Sequence, residues 1–267
     1  MLSLTIFPKS RAGEERHRSH KRQIEAKIML RFLSDVFNVD EAFKKKSPEI
    51  LEFGCGDGFH VPYFQNLGNV TASDTYRSDK LLGNVRFVQT KISDSPFNSR
   101  EFDIIFSNHV IEHIENLESS FTELKRIGKS SCIYAFSVPT NIWLVLSIPA
   151  YYYNLIRFVF MKISGRISNR NIHANNKSHN DEKERTKWYK TIFYIFPLGH
   201  GVIKNWIKCF NSFSIKSWKQ LFSDNDFRVL YTKPLLLYGP SEWPLIPTMN
   251  PFEKFSIASS VLFIMKK

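Results

Sequence analysis

The sequence predicts an α/β fold built on a mostly parallel sheet. Short apolar runs of strand length alternate with segments of helical periodicity between residues 48 and 139. A glycine-rich turn directly follows the first apolar run, and an acidic residue ends the second. Because parallel strands need crossover connections, this alternation predicts right-handed strand–helix–strand units with helices on both faces of the sheet.

The first 47 residues are predicted to be a basic helical lead-in to this core. Lysine and arginine outnumber the acidic residues between positions 9 and 31, and apolar residues recur at helical spacing from Glu25 onward. We therefore expect an amphipathic helix over about residues 14–38, with the lead-in ended by Lys44–Lys46 and Pro48. The simplest interpretation of the basic residues is a solvated helix face.

The predicted cofactor-binding core spans residues 48–139. Its expected strands are 49–53, 69–73, 85–89, 102–107 and 131–138, and its expected helices are 59–67 and 111–127. Ligands of such sheets bind outside the carboxyl ends of the strands. The residues that directly follow each strand are therefore the candidate site.

Residues 140–210 break this rhythm and are predicted to be an insertion over the sheet edge that carries the site. Residues 142–163 are apolar and aromatic, but Pro149 and Arg157 are among the residues that interrupt them. A buried or lid helix or an interfacial helix is therefore favoured over a membrane span. The core resumes over 211–267, with a helix at 215–222 and strands at 227–233 and 256–265.

Composition excludes several classes of protein. Hydrophobic residues at 43% exclude disorder throughout, and 11 Gly with 12 Pro and 3 Cys exclude collagen-like and disulfide-stabilised classes. The three cysteines are far apart and form no C-x-x-C pair, which predicts a reducing, cytoplasmic location and no structural zinc. The apolar stretch near the N-terminus is too short for a signal peptide.

The net charge of +12 and the 24 phenylalanines are unusual. A basic, phenylalanine-rich protein is suited to nucleic acid, to an anionic membrane or to a phosphorylated substrate. Composition alone leaves these three open.

Three glycines, Gly54, Gly56 and Gly58, form the turn after the first strand. Glycine lets the backbone turn sharply and lets a ligand approach without a Cβ in the way. A dinucleotide-binding G-x-G-x-x-G pattern would place its third glycine at position 59, which is Phe59. The turn therefore differs from that fingerprint.

Two acidic residues indicate which nucleotide this turn binds. Glu52 lies just upstream, where it is unsuited to a pyrophosphate but suits a cationic amino-acid group. Asp74 ends the second strand, where a carboxylate can accept hydrogen bonds from both ribose hydroxyls. An intact ribose diol, no phosphate and a cationic sulfonium together describe S-adenosylmethionine (SAM).

Four motifs in order resemble those of class I SAM-dependent methyltransferases. They are LEFGCGDG at 51–58, Asp74, SPF at 95–97 and FDIIFSNHVIEHI at 102–114. The resemblance covers about 48–138 and is strongest to the branch that methylates quinones, lipids and sugars. It implies a Rossmann-like seven-stranded sheet with an antiparallel last strand, which 256–265 would supply, and SAM-dependent methyl transfer.

One position departs from the family pattern. The acid that commonly receives the adenine amino group is replaced by Lys91, which cannot accept a hydrogen bond. Ser93 or Asp94 is expected to substitute, with the backbone N–H of Ile92 contacting the ring. Asn108, directly after the fourth strand, completes the predicted cofactor contacts.

Three histidines are candidates for the base that removes a proton from a hydroxyl acceptor. His109 and His113 follow the fourth strand and would share one face of a helix, and His200 lies between two glycines. The alternatives are a cofactor-pocket wall for His109, a helix cap or brace for Glu112 and His113, and a turn residue for His200. No grouping has zinc-ligand spacing, so no metal site is predicted.

The aromatic insertion and the basic charge favour a lipid-linked acceptor, such as a polyprenyl-phosphate-bound glycan, a quinone precursor or a phospholipid, at the anionic inner face of a membrane. The simpler alternative is a core or lid helix over a soluble small-molecule acceptor. A loose likeness of the C-terminal segment to methyltransferases of bacterial surface-polysaccharide clusters favours a sugar hydroxyl. The alternatives are an RNA methyltransferase and a non-catalytic SAM-binding protein at a membrane surface. No RNA-binding module is recognisable, so nucleic acid is not the expected partner.

Overall fold

Seven strands form a single sheet in the computed structural model, which describes residues 11–39, 47–81, 84–163, 199–238 and 257–267. The strands are β1 (Glu49–Phe53), β2 (Asn69–Asp74), β3 (Arg86–Gln89), β4 (Phe102–Asn108), β5 (Gly128–Pro139), β6 (Arg228–Pro234) and β7 (Ser260–Lys266). Their order across the sheet is β3–β2–β1–β4–β5–β7–β6. Strand β7 is antiparallel to both of its neighbours, and the other pairs are parallel. The predicted mostly parallel sheet with an antiparallel last strand is confirmed.

The described helices are α1 (Arg11–Val39), α2 (Val61–Phe64), α3 (Leu117–Ile127), α4 (Asn141–Ile163), α5 (Trp206–Ser212) and α6 (Ile215–Asp224). Helix α2 is shorter than the predicted 59–67, because the chain continues after Phe64 in tight turns, with the Leu67 N–H donating to the Phe64 carbonyl at 2.8 Å. The single helix predicted over 111–127 is wrong. A 3-10 turn covers only Ile111–His113. Helix α3 begins separately at Leu117, where the side chain of the N-cap residue Asn116 accepts from the Ser119 N–H at 3.1 Å.

Helices cover both faces of the sheet, as predicted. Along β5, Tyr134 and Phe136 pack into the cluster formed with α3, α5 and α6. Ile133 and Ala135, which alternate with them, pack into a second cluster that includes α1 and α2. Successive strand residues point to opposite faces, so a strand buried on both faces appears as the continuous apolar run seen in the sequence.

The sheet order places the crevice of this fold between β1 and β4. From β1 the chain proceeds outward through β2 and β3, whereas from β4 it proceeds through β5 in the opposite direction. Ligands of open α/β sheets bind at such a reversal, beyond the carboxyl ends of the strands. The segments after β1, β2, β3 and β4 therefore meet at one edge.

The apolar segment 142–163 lies within α4, which begins two residues after β5. None of the described helices combines the length and apolar character needed to cross a membrane. The polar stretch that follows α4, residues Lys44–Lys46 and the predicted start of the last strand at 256 lie outside the described residues.

Candidate active site

The turn after β1 has the conformation that its glycines predict. Gly54, Gly56 and Gly58 have φ values of 68°, 53° and 70°. The N–H of Gly54 donates to the Ser73 carbonyl at 2.7 Å, which ties the turn to the end of β2. A Cβ on Gly54 would overlap Val110, whereas a Cβ on Gly56 would meet no atom within 4 Å. The backbone at Gly56 is therefore open to a ligand.

Asp74 lies beside this turn at the end of β2. Its Oδ2 accepts from the Gly56 N–H at 2.8 Å, and its Oδ1 accepts from the Thr75 N–H at 2.7 Å. Oδ1 also accepts from the Thr75 hydroxyl at 3.2 Å, so Oδ2 keeps the free lone pair that can accept from a bound diol. The carboxylate both fixes the turn and faces the cavity.

Glu52 lies behind the turn and not in the cavity wall. It is buried, and its Oε1 lies 3.1 Å from Nδ1 of His60. The other nitrogen of His60, Nε2, lies 3.4 Å from the amide nitrogen of Asn108. His60 lines the cavity, so Glu52 contacts the cavity wall through this imidazole. Gly58 also lies outside the lining, whereas Asn108 is part of it.

The segment after β3 forms another part of the same wall. Lys91, Ile92 and Ser93 line the cavity, whereas Asp94 does not. Of the two side chains expected to replace the missing acid, Ser93 is therefore the better placed. Its role with the adenine ring stays a prediction.

The segment after β4 gathers imidazoles around one buried carboxylate, Glu112. Its Oε1 lies 3.3 Å from Nδ1 of His109 and 4.0 Å from Nε2 of both His113 and His200. The two histidines after β4 do not share a helix face as expected, because His109 precedes the 3-10 turn and has a φ of 56°. The two imidazole rings instead both lie close to the Glu112 carboxylate.

His200 reaches this cluster because its turn is docked on Glu112. The N–H of Val202 donates to the Glu112 carbonyl at 3.0 Å, and a Cβ on Gly201 would overlap that carbonyl. The His200 ring lies 4.7 Å from the Trp143 ring, centroid to centroid. Burial lowers the pKa of His200, more than Glu112 raises it, so the neutral imidazole is favoured.

Tyr238, which follows β6, closes the opposite side of the cluster. Its hydroxyl lies 3.0 Å from Nε2 of His109, and the Nζ of Lys21 lies 3.6 Å from the centre of its ring. Burial, with the charge of Glu25 second, raises the pKa of Tyr238 well above its ordinary value. The phenol is therefore a neutral hydrogen-bond donor.

One cavity of about 1060 Å³ joins the glycine turn to the histidine cluster. Gly56 and Asp74 line one part of it, and His109, His113 and His200 line another. All three predicted bases therefore face the same space as the predicted cofactor turn.

Several residues of the site are missed by sequence reasoning. His60, Tyr238 and Trp143 line the cavity but stand in no motif. Glu112 lies buried behind the lining, and the sequence predicts it only as a helix cap or brace. The acid four residues after Asn108 is the one available signal for Glu112. Nothing in the linear sequence indicates that Tyr238 lies against His109, because they are far apart along the chain.

A family model described as a methyltransferase domain matches residues 19–232. The chain is also 29% identical over 101 residues to a malonyl-[acyl-carrier protein] O-methyltransferase of Enterobacter lignolyticus. That match covers 35% of this chain and only 39% of the relative's length.

Two solved structures share the architecture. The plantazolicin methyltransferase BpumL, solved with SAH, has a TM-score of 0.54 at 12% identity, covering 95% of this chain and 88% of its own. A SAM-dependent methyltransferase from Thermotoga maritima has a TM-score of 0.50 at 13% identity, covering 96% of each chain. At these identities the likeness concerns the fold.

Proposed function

This chain belongs to the methyltransferase-domain family and uses SAM as its cofactor, and from that premise we propose that it methylates a hydroxyl oxygen on a sugar or lipid-linked acceptor. The observation that carries the proposal is the single cavity that joins the glycine turn to the histidine cluster. A methyl donor and a proton acceptor must be close together for such a reaction. The name of the relative from Enterobacter lignolyticus also supports oxygen as the accepting atom and a carrier-linked substrate.

The turn and Asp74 fit the cofactor. The open backbone at Gly56 allows close approach, and the Asp74 carboxylate can accept from the ribose diol. Bound SAM supplies a methyl group on a positively charged sulfur. The protein's main task is then alignment of donor and acceptor, which contributes up to about 7–11 kcal/mol to catalysis.

A proton path leads from the acceptor through Tyr238 to His109. The Glu112 carboxylate beside Nδ1 holds the His109 proton there and leaves a lone pair on Nε2. In that tautomer the Tyr238 hydroxyl, 3.0 Å from Nε2, would donate to this lone pair. With SAM bound, the acceptor proton would pass to the phenol oxygen while the phenol proton passes to Nε2. SAM would supply the methyl group to the acceptor oxygen and keep the electron pair of the carbon–sulfur bond.

His113 and His200 bound the acceptor end of the cavity on the other side of Glu112. Trp143 lies against His200 there, so an aromatic face and imidazole nitrogens are both available to an acceptor. A sugar ring combines apolar C–H faces with hydroxyl groups, which matches this mixed wall.

Helix α4 supports a location at a membrane surface. Its described side chains Val145, Tyr152, Tyr153 and Ile156 are exposed, and the whole chain carries a net charge of +12. Aromatic side chains favour the headgroup region, and positive charge attracts anionic lipid. These features favour a lipid-linked acceptor over a freely diffusing one.

Labelled SAM and fractionated cell extract test the proposal. We expect label in the lipid or glycan fraction. His109→Gln and Tyr238→Phe should lower kcat by about 10²–10⁴-fold, because proton transfer contributes about that much, and should leave the Kd for SAM unchanged. Label in RNA would contradict the proposal in favour of RNA methylation. SAM binding without label in any fraction would contradict it in favour of a non-catalytic role.

A further inference from the structure

We propose that Glu112, His113 and His200 bind one divalent transition-metal ion at the acceptor end of the cavity. One carboxylate and two imidazoles are a typical ligand set for zinc and related ions. The ligands come from two separate parts of the chain, the 3-10 turn after β4 and the turn at 199–204. This is why no metal-ligand spacing is visible in the sequence.

The three ligand atoms need to move only slightly closer together to bind one ion. Oε1 of Glu112 lies 4.0 Å from Nε2 of His113 and 4.0 Å from Nε2 of His200, and all three ligand atoms lie within 4.8 Å of one another. Ligands at tetrahedral zinc lie about 2.0–2.2 Å from the ion, which places them roughly 3.4 Å apart. The imidazoles of His113 and His200 are 51% and 33% exposed, so they have room to close around an ion.

The burial of the Glu112 carboxylate is an independent reason to expect a cation. Its side chain is 0% exposed, and its Oε2 has no hydrogen-bond partner among the described residues. Burying an ionised carboxylate is costly unless a positive charge or hydrogen bonds compensate it. Its Oε1 lies near three imidazole nitrogens, atoms that are themselves common metal ligands. An ion between the carboxylate and two imidazoles would supply the missing charge.

The surroundings hold the ligands in position without an ion. The Val202 N–H to Glu112 carbonyl bond joins the 199–204 turn to the segment after β4. His109 lies 3.3 Å from the Glu112 carboxylate and can orient it by donating from Nδ1. Partners of this kind usually orient metal ligands and tune their affinity.

Three protein ligands leave one tetrahedral position for another oxygen. His113 and His200 line the cavity, so this position would face the acceptor. A metal ion lowers the pKa of a bound hydroxyl or water. The role of the ion in activating the acceptor rests on the proposed function, whereas metal binding itself does not.

The experiment measures metal binding on the full chain, stripped with a chelator and then dialysed. Zn²⁺ is titrated by calorimetry, and Co²⁺ by its visible absorption, which reports coordination geometry. We expect one ion per chain with a tetrahedral Co²⁺ spectrum. His113→Ala and His200→Ala should each weaken binding by at least about 100-fold, which corresponds to 2.7 kcal/mol or more.

His60→Gln is the matched control, because it removes an imidazole from the same cavity but away from the cluster. It should keep the stoichiometry and affinity of the wild type. Glu112→Gln should also abolish binding, and the two alanine variants keep the test decisive if this buried substitution prevents folding. No binding by the wild type, or unchanged binding in both alanine variants, would overturn the proposal.

SAM titration of the same metal-free samples separates the two proposals. If SAM binds but no ion does, the metal site fails and the cofactor assignment stands. If an ion binds and methyl transfer is absent from every fraction, the metal site stands and the proposed reaction fails.

Discussion

Two glycines of the cofactor turn share a backbone conformation but have different neighbours. Both Gly54 and Gly56 have a positive φ, yet only Gly54 is packed against Val110. Left-handed backbone costs a non-glycine residue about 1–2 kcal/mol, and overpacking adds about 1–3 kcal/mol. A substitution at Gly54 should therefore affect mainly stability, and a substitution at Gly56 should affect mainly ligand binding.

Gly54→Ala should lower the free energy of unfolding by about 2–4 kcal/mol, because strain and overlap add. Gly56→Ala should cost only about 1–2 kcal/mol but should weaken SAM binding at least about tenfold, since its Cβ would project into open space at the cavity. Urea denaturation and calorimetry measure the two effects. A Gly54→Ala protein as stable as the wild type would contradict the close packing of Gly54 against Val110.

The three cysteines should react slowly in the folded protein. Burial raises the pKa of Cys55 and of Cys132 to about 12 and also raises that of Cys209. The thiolate is the reactive form, so little of it exists near pH 8. A thiol reagent should modify all 3 cysteines promptly in denaturant and none promptly in buffer. Prompt reaction of the native protein would contradict this burial.

At the scale of single residues, site residues that lie in local sequence motifs were easier to predict than those whose partners are distant along the chain. Gly56 and Asp74 are predictable because they lie in a strand-turn pattern whose chemistry is local. Tyr238 and His60 are not, because their contacts with His109 and Glu52 exist only once the chain has folded. The roles of Glu52 and Lys91 toward the cofactor stay predictions.

Helix α6 illustrates how one element is fixed to the sheet. Its N-cap residue Ser214 accepts from the Ser217 N–H at 3.0 Å, and the indole N–H of Trp218 donates to the Pro139 carbonyl at 2.9 Å. The cap satisfies a helix N–H group that otherwise has no partner within the helix. The indole bond joins the helix to the end of β5.

Ser214→Ala should destabilise the protein by about 1 kcal/mol, the usual cost of losing such a cap. Ser214→Asp restores an accepting oxygen and should recover most of that loss. Neither variant should change the affinity for SAM, because Ser214 is not part of the cavity wall. Equal stability of the alanine variant and the wild type in chemical denaturation would contradict the cap.

At the scale of elements, strands were predicted more accurately than helices. The strand at 49–53 matches β1 because apolar runs buried on both faces are clear in the sequence. The helix predicted over 111–127 was wrong, since the capping role of Asn116 outweighs the apolar periodicity across residues 111–127. Helix boundaries depend on such single contacts.

For the whole molecule, charge and the exposed side chains of α4 predict a membrane-surface preference. The chain should bind vesicles containing anionic lipid and not neutral ones. Binding should be lost near 1 M salt, where charges are screened beyond about 3 Å. Cosedimentation measures this.

Tyr152→Ser combined with Ile156→Ser should weaken vesicle binding, whereas Tyr231→Ser should not, because Tyr231 is an exposed aromatic residue on β6 and not on α4. Equal binding to neutral and anionic vesicles, or none to either, would contradict the membrane proposal without affecting the cofactor site.

The overall architecture was predictable because the order of strands and helices constrains a parallel sheet to few topologies. The resemblance to methyltransferases added the antiparallel last strand, which periodicity alone does not reveal. The proximity of the histidine cluster to the cofactor turn was not predictable. The turn that carries His200 is held at Glu112 by the Val202 N–H, which is far from Glu112 along the chain.

The central claim is that SAM binds over the turn at Gly54–Gly58 with Asp74 at its ribose. Calorimetric titration of SAM into the wild type, Asp74→Asn and the exposed control Asp79→Asn tests it most directly. We expect one SAM per chain for the wild type and the control, and binding about 10–100-fold weaker for Asp74→Asn, because hydrogen bonds to a charged group contribute about 1.5–3 kcal/mol. No binding by the wild type, or equal affinity in Asp74→Asn, would contradict the account.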